Sequence, residues 1–153
     1  LKPKVLFLRQ IQSMTKKILA SGIMTEKIVV AGLNNNFSQL LDFFSRHKIQ
    51  HLPITFDDKL LGIISINDMI RFIEKIIADG NSYSEEEFNK LFDLEKEMTH
   101  NPTTVEPETP LESILEILSE GKFQALPVVE EGLIRGIITN KDIVRVYNWD
   151  VQN

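Results

Sequence analysis

Two seven-residue strings carry the side chains of this chain that are best placed to bind a polar ligand. Both read Gly-Ile-Ile-(Ser or Thr)-x-x-Asp, once from Gly62 to Asp68 and once from Gly136 to Asp142. A glycine lets the backbone approach a ligand closely, and the two apolar residues after it bury a strand. The hydroxyl and the carboxylate then fall at the start of a helix, where free N–H groups and the helix dipole favour anions.

The same spacing also has a purely structural interpretation. Ser65 with Asp68 and Thr139 with Asp142 fit the capping box, in which two side chains satisfy free N–H groups at the first turn of a helix. Three other pairs fit related patterns with no ligand chemistry that we can name: Asn36 with Gln39, Ser84 with Glu87, and Thr109 with Glu112. We therefore expect both Asp residues to support helix starts, and ligand binding by at least one of them is a separate hypothesis.

The two strings belong to an internal duplication with a constant offset of 74 residues, as seen from Met24 and Met98. Five separated features keep this register: Met24-Thr25 and Met98-Thr99, Leu52-Pro53 and Leu126-Pro127, Gly62 to Ser65 and Gly136 to Thr139, Asp68 and Asp142, Arg71 and Arg145. A unit of roughly 55 to 60 residues is too small to bury a good core alone. Two copies packed together are therefore the expected folding unit.

Each copy predicts the order β-α-β-β-α. Apolar residues at helical spacing predict a first helix around Phe37 to Phe44 and around Leu111 to Leu118. Short runs rich in β-branched residues predict the extended segments and strands Ile28 to Ala31, Leu52 to Phe56, Leu60 to Ser65, Thr103 to Val105, Leu126 to Val129 and Leu133 to Thr139. A closing helix is predicted from Asp68 to about Ala78 and from Asp142 to about Trp149.

Two segments lie outside the repeat. Leu6 to Leu19 has apolar residues at helical spacing and predicts a leading helix. The acidic connector Asp79 to Glu97 predicts a short helix with Phe88, Leu91 and Phe92 turned inward. The expected organisation is a leading helix and linker at 1–20, a first unit at 21–78, a helical connector at 79–95 and a second unit at 96–149.

These features together resemble the CBS family, over about Ser21 to Trp149. The resemblance rests on the two long strings, the Met-Thr pairs, the Leu-Pro pairs and the Asp-x-x-Arg ending at Arg71 and Arg145. It implies an α/β fold of tandem CBS domains, with two β-α-β-β-α units packed through their sheets about a pseudo-twofold axis. It also implies a homodimer and a regulatory module that reversibly binds AMP, ADP or ATP, with S-adenosylmethionine or a dinucleotide as further possibilities.

The resemblance also assigns site residues, by position in this sequence. It implies that Asp68 and Asp142 accept the ribose hydroxyls, with hydroxyl support from Ser65 and Thr139. The remaining residues of the implied sites lie near the phosphate or line the adenine: Asn67 and Lys141 for the phosphate, and Ile28, Val29, Pro102, Thr103 and Thr104 for the adenine.

The two sites are unequal. The second combines hydroxyls with Lys141, whereas the first has aliphatic residues and neutral Asn67 at the matching places. Because a ribose phosphate needs hydrogen-bond partners and positive charge, we expect a charged nucleotide at the second site. The first is then empty or takes a less polar adenosyl group.

Composition narrows the alternatives. The absence of Cys excludes disulfides, thiolate catalysis and Cys-bound zinc, and the net charge of -5 argues against a nucleic-acid partner. No apolar run approaches the roughly 20 residues of a membrane span, so we expect a cytoplasmic protein without membrane insertion. His47, His51 and His100 lack the spacing and the acidic partners of a metal site. With no catalytic constellation either, we expect no enzyme activity and no cofactor besides the regulatory nucleotide.

Two alternatives stay open. The pair of repeats is interpreted either as a nucleotide sensor or as a ligand-free dimerisation scaffold, which includes the cytoplasmic regulatory part of a transporter or enzyme. The chain begins with Leu1 rather than Met, which leaves a longer protein open. The helices after the two strings are apolar on more than one face, and a second apolar face predicts a partner helix in a dimer. The residues concerned are Met69, Ile70, Phe72, Ile73, Ile76 and Ile77, then Ile143, Val144, Val146 and Tyr147.

Overall fold

The computed structural model of the chain describes residues 18–152, with side chains up to residue 148. The predicted leading helix, Leu6 to Leu19, lies almost wholly outside the described residues, as does the side chain of Trp149. The helices are α1 (Ala20–Ile23), α2 (Phe37–His47), α3 (Ile66–Ile77), α4 (Glu85–Leu91), α5 (Leu94–Glu97), α6 (Leu111–Ser119) and α7 (Asn140–Gln152). The strands are β1 (His51–Phe56), β2 (Lys59–Ser65), β3 (Thr99–His100), β4 (Ala125–Glu130) and β5 (Leu133–Thr139).

The chain forms two compact units. The central unit is the continuous stretch Val29–Pro102, and the terminal unit combines the residues up to Ile28 with those from Thr103 onward. Each unit has its own hydrophobic core. The predicted order of elements is confirmed in both copies, except that the first strand is reduced to a single bridge, at Ala31 in one copy and Val105 in the other.

In the central unit, β1 and β2 form an antiparallel pair whose register runs from His51 opposite Ser65 to Phe56 opposite Lys59. Strand β1 contains Pro53, which has no N–H to donate, but its carbonyl accepts a hydrogen bond from the backbone of Ala31 at 3.0 Å. Ala31 in turn accepts from the backbone N–H of Thr55 at 2.8 Å. These bonds tie the segment before α2 to the strand pair.

The connector helix α4 closes the core of the central unit with aromatic rings. Phe37 of α2 lies 5.2 Å from Phe88, and Phe72 of α3 lies 5.0 Å from Phe92, between ring centroids. The predicted inward faces of Phe88 and Phe92 are confirmed by this packing. The prediction for Leu91 is wrong, since its side chain is half exposed. Leu91 is the last residue of α4, where the helix ends and Phe92 takes the inward position.

In the terminal unit, β4 and β5 repeat the same pairing, from Ala125 opposite Thr139 to Glu130 opposite Leu133. A register irregularity follows Ile54 in one pair and Val128 in the other, positions that are 74 residues apart. The core of this unit consists of Ala20, Val105, Ile114, Leu126, Val128 and Ile138.

The start of α6 corrects one expectation. Thr109 and Glu112 do not form a capping box, because the N-cap residue is Pro110 and no side chain caps the helix. The hydroxyl of Thr109 instead accepts a hydrogen bond from the backbone of Glu106 at 2.9 Å. The backbone N–H of Leu111 donates to the carbonyl of Ile18 at 2.9 Å, so a distant backbone segment does the work of a cap.

Each Met-Thr pair packs against the glycine of the other repeat. A Cβ atom on Gly136 would lie 2.7 Å from the sulfur of Met24, and one on Gly62 would lie 2.7 Å from both the sulfur of Met98 and the carbonyl oxygen of Thr99. These contacts are closer than a side chain tolerates. The glycines are therefore needed for a close approach of the protein to itself, and the approach to a ligand stays a prediction.

Candidate ligand-binding carboxylates

Asp68 is held at the start of α3 by one of its two carboxylate oxygens. The backbone N–H and the hydroxyl of Ser65 donate to Oδ2 at 2.7 and 2.6 Å, and the backbone N–H of Asp68 donates to the Ser65 hydroxyl oxygen at 3.2 Å. This is a complete capping box, as predicted. The cap fixes the position of the carboxylate before any ligand arrives.

The second oxygen of Asp68, Oδ1, forms an ion pair with Arg71, which lies one helical turn further along α3. The side chain of Arg71 is 69 % exposed, whereas that of Asp68 is 14 % exposed. An exposed ion pair of this kind contributes little to stability, so Arg71 can leave at small cost. Oδ1 is the oxygen of Asp68 that a ligand hydroxyl could reach.

Asp142 accepts the same two bonds from its hydroxyl residue at one oxygen and has a different environment around the other. The backbone N–H and the hydroxyl of Thr139 donate to Oδ2 at 2.7 and 2.9 Å. Oδ1 accepts a hydrogen bond from the hydroxyl of Thr25 at 3.2 Å and one from Arg145 at 3.3 Å. Asp142 is only 3 % exposed, so the carboxylate is almost closed off from solvent.

The remaining predicted site residues differ in exposure and in the unit to which they belong. Asn67, Lys141 and Thr104 are exposed. The others, Ile28, Val29, Pro102 and Thr103, are partly buried. Ile28 and Thr103 belong to the terminal unit, and Val29 and Pro102 belong to the central unit. Hydrogen bonds bring together Ser65 with Asp68 and Thr139 with Asp142, and the roles of the other residues stay predictions.

A histidine distinguishes the surroundings of the two carboxylates. His51 begins β1 and lies opposite Ser65, the residue that caps α3. Burial lowers the pKa of His51 below its ordinary value, and the nearby charge of Asp68 offsets this only in part. The matching position of the second repeat is Ala125, opposite Thr139. The central unit therefore has a titratable group beside its candidate site that the second repeat lacks.

Sequence reasoning missed three partners of the carboxylates, namely Thr25, Arg71 and Arg145. The Asp-x-x-Arg spacing was a usable signal for the two arginines, since residues three apart on a helix are neighbours. For Thr25 the only signal was the repeated Met-Thr pair, and nothing in the sequence indicates that Thr25 lies against a residue 117 positions away.

Two features are absent from the described residues. Among them, no group of three or more His, Asp or Glu side chains is placed to hold a metal ion. No helix within the same part of the chain has the length and apolar character needed to cross a membrane.

Comparison with known proteins identifies the class to which this fold and these capped carboxylates belong. The family model described as CBS domain matches the chain twice, at residues 20–75 and 92–148. The chain belongs to the CBS domain family and contains a tandem pair of CBS units.

Solved structures support the same fold. Protein MJ1225 from Methanocaldococcus jannaschii superposes with a TM-score of 0.75 at 26 % identity, covering 90 % of this chain and 52 % of that chain. The CBS domain pair of protein MJ0100, solved in complex with 5′-methylthioadenosine and S-adenosyl-L-methionine, gives a TM-score of 0.68 at 26 % identity, covering 85 % of this chain and 99 % of that chain.

Among curated proteins, inosine-5′-monophosphate dehydrogenase from Aquifex aeolicus is 41 % identical over 128 residues. That match covers 82 % of this chain and 23 % of the dehydrogenase. The sequence of MJ1225 is 26 % identical over 130 residues, which cover 81 % of this chain and 45 % of MJ1225. The chain thus spans less than half the length of the first curated relatives that it matches.

Proposed function

We propose that this CBS pair is a regulatory module that reversibly binds an adenosine-containing ligand through Asp68 and Asp142. One observation carries the proposal. Each carboxylate is fixed by capping bonds to Oδ2, while among the described residues Oδ1 accepts only from side chains, namely Arg71 at Asp68 and Thr25 and Arg145 at Asp142. A pre-positioned acceptor of this kind suits a vicinal diol, because it costs little reorganisation when a ligand hydroxyl replaces a side-chain donor.

The ligand class follows from the chemistry and from one relative. A ribose offers two neighbouring hydroxyls to a carboxylate, and hydrogen bonds to a charged group are stronger than neutral ones. The related CBS pair of MJ0100 was solved with 5′-methylthioadenosine and S-adenosyl-L-methionine. We propose AMP, ADP or ATP as the natural ligands, with S-adenosylmethionine as the alternative within the same class.

The polar residues of the second repeat support a charged nucleotide there. Thr103, Thr104 and Lys141 supply hydroxyls and a cation, and they belong to the same unit as Asp142. The first repeat has Asn67 at the position of Lys141. We therefore assign charged nucleotides, AMP included, to the Asp142 site, and a less polar adenosyl ligand to the Asp68 site.

The experiment is a calorimetric titration of the purified chain with AMP, ADP, ATP and S-adenosylmethionine, repeated for Asp68→Ala and Asp142→Ala. Loss of a hydrogen-bonded charge should weaken binding at the altered site by roughly 1.5–3 kcal/mol, about ten- to a hundredfold in Kd. Asn36→Ala is the matched control, because it removes a capping box of the central unit that has no carboxylate. This variant should lose stability and keep its affinity.

Ligand variants sharpen the result. If a carboxylate accepts the ribose hydroxyls, 2′-deoxy-AMP should bind the unchanged protein more weakly than AMP. The same replacement should make little difference once the responsible Asp is Ala, because the hydroxyl then has no acceptor to lose. If none of these ligands binds at millimolar concentration, the sensor function is wrong.

A second candidate function, a dimerisation scaffold, is favoured by exposed apolar side chains on α3 and α7. Ile70 and Ile77 are each 45 % exposed, and Val144 and Tyr147 are 58 % and 55 % exposed. A helix with an apolar face open to water favours a partner. Sedimentation at tens of micromolar should give a dimer, and Ile70→Glu with Val144→Glu should shift it toward monomer. A monomeric unchanged protein would overturn this candidate.

Because the chain spans less than half of its first curated relatives, the partner that responds to the ligand is also a matter of proposal. A CBS pair that senses a nucleotide can regulate an enzyme or a transporter to which it is joined. Ligand binding would then bias the arrangement of whatever follows or precedes it, by the difference in ligand affinity between two arrangements.

A further inference from the structure

The hydroxyl of Thr25 occupies the one oxygen of Asp142 that is not committed to the helix cap. It donates to Oδ1 at 3.2 Å, whereas Oδ2 is used by Thr139. With Arg145 also on Oδ1 and the side chain of Asp142 only 3 % exposed, the carboxylate accepts four hydrogen bonds from the described residues. A ribose hydroxyl can reach Asp142 only if one of these donors leaves.

The position of Thr25 is set by its backbone and does not depend on this hydrogen bond. Its N–H donates to the carbonyl of Ile137 at 2.9 Å, and its carbonyl accepts from the N–H of Ile137 at 3.1 Å. Met24 packs against Gly136 beside it, and Ala20 of α1 is completely buried. The backbone therefore delivers the hydroxyl to Asp142 in a fixed place, and only side-chain rotation is needed to remove it.

The central unit contains the matching threonine, Thr99, without the same contact to its carboxylate. Thr99 pairs with Ile63 on β2, as Thr25 pairs with Ile137 on β5. Among the side-chain hydrogen bonds of the described residues, Asp68 accepts from Ser65 and Arg71 and not from Thr99. Asp68 is also more exposed than Asp142, at 14 % against 3 %. Thr25 thus occupies Oδ1 of Asp142, whereas Thr99 does not occupy Oδ1 of Asp68.

We infer that Thr25 determines the ligand affinity of the Asp142 site by competing with the ligand for Asp142 Oδ1. This inference rests on the proposed binding of an adenosine ligand at Asp142. When a ribose hydroxyl replaces Thr25 at Oδ1, one hydrogen bond to the carboxylate is gained and one is lost, so the net gain is smaller than at an open carboxylate. Thr25 acts through Asp142 and does not itself bind the ligand, because a ligand hydroxyl replaces the Thr25 hydroxyl at Oδ1. It is therefore a positioning residue.

The test isolates the second site and removes the competing hydroxyl. In an Asp68→Ala background, Thr25→Val keeps the branched side chain and the backbone pairing but cannot donate to Asp142. AMP should bind this variant about two- to tenfold more tightly than the background, as expected for one competing hydrogen bond. Thr25→Ser, which keeps the hydroxyl, should match the background. Thr99→Val in the same background is the control for the other repeat and should not change affinity.

A second readout separates competition from a general structural effect. Without ligand, Thr25→Val should unfold at lower urea concentration, because Asp142 loses a donor, and its affinity should nevertheless rise. A purely structural role predicts that stability and affinity fall together.

The outcomes distinguish this inference from the proposed function. Binding of AMP that Asp142→Ala abolishes but Thr25→Val leaves unchanged or weakens overturns the competition by Thr25 and keeps the site. Binding by no variant, including the one with both Asp residues intact, overturns the proposed function and this inference with it.

Discussion

The two capped carboxylates share the bonds that hold Oδ2 at the start of a helix, and they differ in the donors around Oδ1, the oxygen that a ligand could reach. Ser65 and Thr139 hold one oxygen of Asp68 and of Asp142 by the same pair of bonds. The other oxygen faces an exposed arginine at Asp68, and the hydroxyl of Thr25 together with an arginine at Asp142. A helix cap constrains only one side of a carboxylate, so two copies of one motif can keep the same cap and still form unequal binding sites.

The largest expected difference in stability between the two sites comes from removing each carboxylate in turn. Asp142→Ala leaves two hydroxyl groups and a backbone N–H without their acceptor in a buried place, which should cost about 2–3 kcal/mol of unfolding free energy. Asp68→Ala removes a more exposed cap and should cost only about 0.5–2 kcal/mol. Urea unfolding of both variants measures the difference. Equal losses would show that the burial of Asp142 and its bond from Thr25 contribute nothing.

The glycines before the carboxylates provide the next test. Gly62→Ala forces a Cβ to within 2.7 Å of the Thr99 carbonyl oxygen, and such overpacking should cost about 1–3 kcal/mol. Gly136→Ala should cost less, because its 2.7 Å neighbour is the flexible sulfur of Met24 and the nearest backbone oxygen is at 3.0 Å. Gly22→Ala is the control, since nothing lies within 4 Å of its added methyl group. Thermal unfolding should rank the three in this order, and a neutral Gly62→Ala would contradict the close packing.

The smallest effect concerns pH. Burial lowers the pKa of His51 in the folded protein, so between its unfolded value of about 6.5 and the lowered folded value the unfolded chain binds the extra proton. Stability should therefore fall as the pH drops below 6.5, and the loss is complete below the folded pKa. Denaturant unfolding of His51→Gln at pH 7.5 and 5.5 should show a smaller loss than the unchanged protein. An identical loss in both would mean that His51 does not contribute to the pH dependence.

Much of this architecture could be predicted because each strand and helix pattern occurs twice, 74 residues apart. The boundaries of β1 and β5 lie within one residue of the predicted ones, since β-branched runs bounded by turn residues are unambiguous over such short stretches. Helices α3 and α7 begin two residues earlier than predicted, at Ile66 and Asn140. The reason is that the carboxylate sits at the third helical position and the hydroxyl residue before it is the N-cap.

Two of the errors concern partners that are distant in the sequence. Thr109 was expected to cap α6, but the backbone at Ile18 supplies the bond, and local spacing contains no trace of it. The same applies to Thr25, which meets Asp142 only because the terminal unit is built from both ends of the described chain. Periodicity and capping patterns report on residues within a turn or a strand, so they can identify a carboxylate and its cap without revealing what closes the other side.

The exchange of Met-Thr segments between the repeats has a consequence for the order of folding during synthesis. The central unit is a continuous stretch that has been made once Pro102 has left the ribosome, and the described residues of its core all lie before that point. The terminal unit must wait for β5, because Thr25 pairs with Ile137 across more than a hundred residues. Contacts of such long sequence separation form late and slowly. The chain should therefore fold from its middle outward, with the Met24-Thr25 segment left unpaired until the last strand has been made.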